Sequence, residues 1–169
     1  ATVELKNPFT KQNVSDAKRQ FAYTRDQKEL LFQFKKRALV HFAVDPNEVY
    51  MTTKLTGEGT KFLPFNTLCK GGAGNPPVKD NYKTAYLWES VWAKDSWMDI
   101  LKKFIHLEKK EIKVGGKTKV KETMIFPRYH QLDVVRKLTA DTRSSGVGKN
   151  YLIEHSAGSG KSNSIAWLA

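Results

Sequence analysis

The sequence predicts a mixed α/β chain, and three observations carry that expectation. Apolar β-type runs alternate with helical periodicities and do not segregate into one class. Turn signals such as Asp45-Pro46-Asn47 and Gly115-Gly116 punctuate them. Towards the C-terminal end, the apolar run Tyr151-Leu152-Ile153 leads into a glycine-rich loop and then a helical pattern. The 169 residues are 40% hydrophobic and 27% charged, which is the composition of a globular chain and not of a disordered, collagenous or membrane one.

Taken in order, Ala1 to Lys6 reads as a strand halted by Asn7-Pro8. Ser15 is the expected N-cap of a helix through about Tyr23, with Asp16 in its first turn. Ala38 to Val44 and Glu48 to Leu55 are β-type runs on either side of Asp45-Pro46-Asn47. Lys61 to Phe65 is an edge strand at best, because Pro64 lacks an N–H for the ladder. Residues 69–81 are rich in Gly and Pro and mark a linker or mobile loop. Two helices are then predicted, over Ala85–Ala93 and from Ser96 to about Lys110, with Asp99 completing a capping-box pattern. Their tryptophans Trp88, Trp92 and Trp97 fall at amphipathic spacing, which favours core over a base-stacking platform. Residues 109–121 form a Lys-rich stretch around Gly115-Gly116, either a protruding hairpin or a loop, and either solvated or touching phosphates. A helix over Gln131–Asp141 and the strand at 151–153 precede the final helix from Lys161.

Three segments follow from this: 1–68, a Gly/Pro-rich loop and helical connector over 69–123, and 124–169. The opening residues read as a strand already in progress and the last helix has no capping signal, so the chain is expected to be a piece of a longer polypeptide with its sites truncated.

The charge narrows the partner. A formal +12 is spread as +5 over residues 1–70, +4 over 71–126 and +3 over 127–169, which suits a polyanion contacted broadly. The single cysteine, Cys69, excludes a disulfide framework, and His41, His106, His130 and His155 show no metal-ligand spacing. No apolar run approaches a bilayer's thickness and no signal peptide is visible, so a cytoplasmic location is expected.

Two motifs carry chemistry. In Gly158-Ser159-Gly160-Lys161-Ser162, small residues let backbone N–H groups converge on phosphate oxygens at a helix N-terminus. Lys161 is placed to reach the β/γ-phosphates of ATP and the Ser162 hydroxyl to hold Mg²⁺. His155 stands where the strict pattern has its first Gly. At the other end, Glu4 and Lys6 leave one face of a strand, the geometry of the E-x-K half of PD-(D/E)xK nucleases. There the carboxylate holds Mg²⁺ and the lysine steadies charge on the phosphate. Glu108-Lys109-Lys110 and Glu111-Ile112-Lys113 match the same pattern, but only Glu4-Leu5-Lys6 lies in an apolar strand followed by a helix. Gln20, with Tyr23 as a poorer choice, is the expected polar companion on that helix.

With VELKNP, HFAVDPNEVYMTTKL, FLPFN, YKTAYLWE, DSWMDILKKFIHLEKK, FPRYHQLD and HSAGSGKS, the chain resembles the restriction subunit of type I restriction–modification enzymes over essentially its whole length. That resemblance implies the end of a PD-(D/E)xK nuclease-like domain, a helical connector, and the start of a RecA-like motor of helicase superfamily 2. It implies an ATP-dependent, Mg²⁺-requiring type I site-specific deoxyribonuclease that translocates double-stranded DNA and joins modification and specificity subunits. Glu4, Lys6 and Gln20 then match nuclease positions, Gln131 an adenine-reading glutamine, and Gly158 to Ser162 the phosphate loop. The piece by itself is expected to be inactive. A non-enzymatic basic DNA-binding module with an incidental GSGKS loop, or another superfamily 2 helicase or nuclease, are the competing expectations.

Overall fold

The computed structural model describes residues 1–68 and 74–169. Residues 69–73 of the expected Gly/Pro-rich loop, Cys69 included, lie outside the described residues. The chain forms two compact units, Ala1–Phe126 and Pro127–Ala169.

The first unit is built on a mixed four-stranded sheet of order β1-β2-β3-β4. Strand β1 (Thr2–Leu5) runs parallel to β2 (His41–Val44). Strands β3 (Val49–Thr52) and β4 (Leu63–Pro64) continue the sheet antiparallel. All four residues of β2 are buried, so its near-continuous apolar run belongs to a strand covered on both faces. Asp45 makes the turn to β3: its Oδ1 accepts from the N–H groups of Asn47 and Glu48, both at 2.8 Å.

Helix α1 (Val14–Arg19) crosses back from β1 towards β2. Its N-cap is Asn13, not the expected Ser15: the Asn13 side chain accepts from Ser15 N–H, and Asp16 reaches back to Asn13 N–H at 2.9 Å. The buried Oδ2 of Asp45 accepts the Val14 N–H at 2.8 Å, so one carboxylate ties a helix start to a strand turn. Beyond Arg19 the helix widens into a π turn over Gln20–Thr24. Val14, Ala17 and Phe21 pack on Ala43, Phe32 and Leu55. Behind the sheet, Phe42 meets the rings of Phe65, Trp92 and Phe126 at centroid distances of 5.5–5.9 Å.

The connector departs from expectation in two places. The stretch over 85–93 is a single π turn, Leu87–Val91, which buries Leu87 and Val91 but leaves Trp88 exposed. Trp92 and Trp97 do sit among core rings, Trp97 against Phe126 at 6.0 Å. Helix α2 (Lys94–Lys103) ends well before Lys110. The chain instead turns into β5 (His106–Val114), paired antiparallel along its whole length with β6 (Lys117–Ile125). Cross-strand pairing of His106–Lys110 outweighs their compatibility with a helix. The Lys-rich stretch is therefore a hairpin.

The second unit contains α3 (Tyr129–Ser145) and α4 (Lys161–Leu168). The strand expected over Tyr151–Ile153 is absent: residues 150–156 take no regular structure. A strand needs a ladder partner, and this unit offers none among the described residues.

Candidate functional site

Two separate candidates were marked by the sequence, one in each unit.

In the first unit, Glu4 and Lys6 face α1, and their side chains are only 12% exposed. Period-2 geometry puts Thr2, Glu4 and Lys6 on one side of β1 while Val3 and Leu5 are exposed on the other. The Lys6 Nζ donates to Gln20 Oε1 at 2.5 Å and lies 3.8 Å from Glu4 Oε1. The π turn places Gln20 where it reaches Lys6. Alongside opens a depression of about 810 Å³ whose wall includes Lys6, Asp16, Arg19, Gln20 and Tyr23. Tyr23 is 63% exposed on its rim.

One member of this cluster escaped the sequence reading. Arg25 Nη2 donates to Glu4 Oε2 at 2.7 Å, and its Nε adds a second bond to the same oxygen at 3.3 Å. Both oxygens of Glu4 therefore face cations. The only hint in the sequence is that Arg25 lies one turn beyond Gln20. The rival E-x-K matches are set apart by their surroundings: Glu111 and Lys113 stand exposed on the hairpin, and Glu108 pairs with Lys110 at 3.1 Å.

A Mg²⁺ ion requires several oxygen ligands. Glu4 supplies one carboxylate, already held by Arg25 and Lys6, and no group of three His, Cys, Asp or Glu side chains gathers among the described residues. The donor set here does not fit a bound metal ion.

The glycine-rich loop of the second unit is organised by the start of α3. His130 Nε2 bonds Ser159 O at 3.1 Å, and Gln131 Nε2 donates to Gly160 O at 2.8 Å. Gln131 Oε1 also accepts the Arg128 N–H at 2.9 Å, so both ends of this buried amide are engaged. In a trans peptide the C=O and the following N–H point in opposite directions. With the carbonyls of Ser159 and Gly160 turned to α3, the N–H groups of Gly160 and Lys161 face away from it. They stand as backbone donors at the α4 N-terminus, where no side chain caps the helix.

Gly158 and Gly160 hold φ of +71° and +84°, which side chains rarely adopt. A Cβ on Gly160 would lie 2.4 Å from Gln131 Nε2. Lys161 Nζ folds back on the carbonyls of His155 (2.8 Å) and Ser156 (3.2 Å), over the mouth of the loop. Ser162 is exposed in the first turn, and the buried Ser159 Oγ has no partner. Burial holds the His130 imidazole below its ordinary pKa, which suits an N–H donated to a carbonyl. Unlike Gln131, His130 was not marked by the sequence, although it adjoins it in FPRYHQ. Free backbone donors, a lysine at the mouth and an orphaned hydroxyl fit an anionic phosphate group.

Comparison with family models, with curated proteins and with solved structures finds no match to this chain. The functional reading rests on the sequence resemblance together with the geometry of the two candidate sites.

Proposed function

We propose that the chain is the nuclease–motor junction of the restriction subunit of a type I restriction–modification enzyme. In that reading residues 1–68 end a PD-(D/E)xK nuclease-like domain, 69–123 connect, and 124–169 begin a RecA-like ATPase. The observation that supports it best is the convergence of Lys6 Nζ on Gln20 Oε1 (2.5 Å) and Glu4 Oε1 (3.8 Å) from two elements. Of three E-x-K matches, this one has a polar companion and partial burial, as a phosphate-handling lysine needs. The cationic neighbours Arg19 and Arg25 add attraction for a DNA phosphate.

The loop at 158–162 supplies the second half of the reading. Gly160 and Lys161 N–H, with the Lys161 ammonium, would hold the phosphates of ATP, and Ser162 would offer its hydroxyl to the accompanying Mg²⁺. Bound ATP would supply the free energy of phosphoanhydride hydrolysis. Gln131, engaged on both sides, acts in this arrangement as a clamp on the loop. Since the nuclease donor set does not fit a metal by itself, no cleavage step follows, and the chain alone is expected to leave duplex DNA intact.

The exposed lysines of the hairpin favour a second reading, a DNA-binding module without catalysis. Thermal unfolding with MgATP separates the two. At a hundredfold excess over Kd, a nucleotide bound to the folded loop stabilises it by about 2.7 kcal/mol. The expected result is an ATP-dependent shift that Lys161→Ala abolishes. No shift, or one that survives Lys161→Ala, would remove the motor half of the proposal.

A further inference from the structure

The β5–β6 hairpin is a long ribbon whose two faces differ in charge. Nine residue pairs at about 3.4 Å per residue make it about 30 Å long. From Lys109 to Lys121 every residue whose side chain is described is exposed. Cross-strand partners and residues two apart share a face. One face therefore carries Lys109, Glu111, Lys113 and Glu122, two cations against two anions. The other carries Lys110, Lys117, Lys119 and Lys121 against Glu108 alone.

The balanced face is internally neutralised. Glu122 pairs with Lys109 at 3.7 Å and also with Lys35. On the other face only Lys110 has an acidic partner, Glu108 at 3.1 Å. Lys117, Lys119 and Lys121 have none among the described residues. Lys110 stands directly opposite Lys121, a like-charge pair that weakens a ladder unless an anion lies over it. A merely solvated hairpin would gain from mixing its charges.

We infer that this lysine face lies along the sugar–phosphate backbone of duplex DNA and forms a sequence-independent contact outside both candidate sites. The inference rests on the proposed function for the choice of DNA as polyanion. Geometry supports it: alternate residues of β6 are about 6.8 Å apart. Lys117 to Lys121 therefore spans about 14 Å, the axial rise of about four phosphates on one DNA strand. Three lysines on one strand thus reach several phosphates, with Lys110 beside them on the neighbouring strand. Because phosphates carry no sequence information, the contact positions the duplex without selecting a site.

The test compares two variants of the whole chain that lose the same charge. Lys119→Ala/Lys121→Ala alters the lysine face and Lys109→Ala/Lys113→Ala the balanced face. Binding to a fluorescent duplex is measured by anisotropy between about 50 and 200 mM salt, the range over which phosphate contacts show in the slope. Circular dichroism checks that both variants fold, as exposed substitutions should allow. Each lost phosphate contact lowers the slope of log K against log salt by about 0.9. The expected result is a slope reduced by about 2 for Lys119→Ala/Lys121→Ala and unchanged for Lys109→Ala/Lys113→Ala. Equal reductions would overturn the one-faced contact and leave only diffuse charge. Binding by the unaltered chain that neither variant changes would overturn the ribbon's role while leaving DNA as partner. No duplex binding by the unaltered chain would overturn both. Equal affinity for polyglutamate would replace nucleic acid with an acidic protein partner and also overturn the inference.

Discussion

His41 shows how one side chain can set the pH range of the first unit. It is 1% exposed, lies between the rings of Phe21 and Phe32, and bonds Thr2 Oγ1 through Nδ1 at 2.6 Å. Burial, and secondarily the positive amino terminus, push its pKa down to about 4. The unfolded state then binds more protons between about pH 6.5 and pH 4, so stability is full above that window and falls on acidification through it. The expected loss between pH 7.5 and pH 5 is about 2 kcal/mol. Urea unfolding followed by Trp92 and Trp97 fluorescence measures it, with His41→Asn as the flat reference. Equal pH slopes in both proteins would mean that His41 is not held neutral. Single residues were unevenly legible. Asp45 was readable as a turn former, but not as the acceptor for Val14 N–H, because that contact joins positions 31 residues apart. Arg25 was hidden for the same reason, since its bond to Glu4 depends on how the π turn re-aims the chain.

Among the elements, those with local signals were the readable ones. The continuous apolar run of β2 and the Asp-Pro-Asn turn identified the central strands, and Pro64 correctly marked an edge. The C-terminal end of helix α2 and the strand at 151–153 were misjudged because their outcome depends on partners distant in sequence. His106–Lys110 finds a ladder in β6, and Tyr151–Ile153 finds none. The loop between α3 and α4 yields the sharpest test of element coupling. Gly160→Ala forces a side chain into positive φ and against Gln131. It should destabilise the second unit by about 1 kcal/mol or more. The cost should shrink in a Gln131→Ala background, because the contact is then gone and only the backbone strain remains. Thermal unfolding read through Trp167 gives all four corners of that cycle, and strict additivity would show that Gln131 does not clamp the loop.

Across the molecule, the sequence conveyed the mixed α/β class and the positions of both candidate sites, but not how each is held. Charge spread evenly along the chain suggested a broad anionic partner, and the ribbon concentrates part of that charge on one face. No helix among the described residues is long and apolar enough to cross a membrane. The two units each carry one half of the proposed activity, so the reading stands or falls on whether nucleotide goes to the loop. Basic ribbons also attract ATP, and a binding isotherm alone does not locate it. Hydrogen–deuterium exchange with and without MgATP does. The expected result is slowed exchange confined to peptides covering Gly158–Ser162 and the start of α3, lost in Lys161→Ala. Slowing confined to Lys109–Lys121, with the loop unchanged, would contradict a nucleotide-binding motor segment.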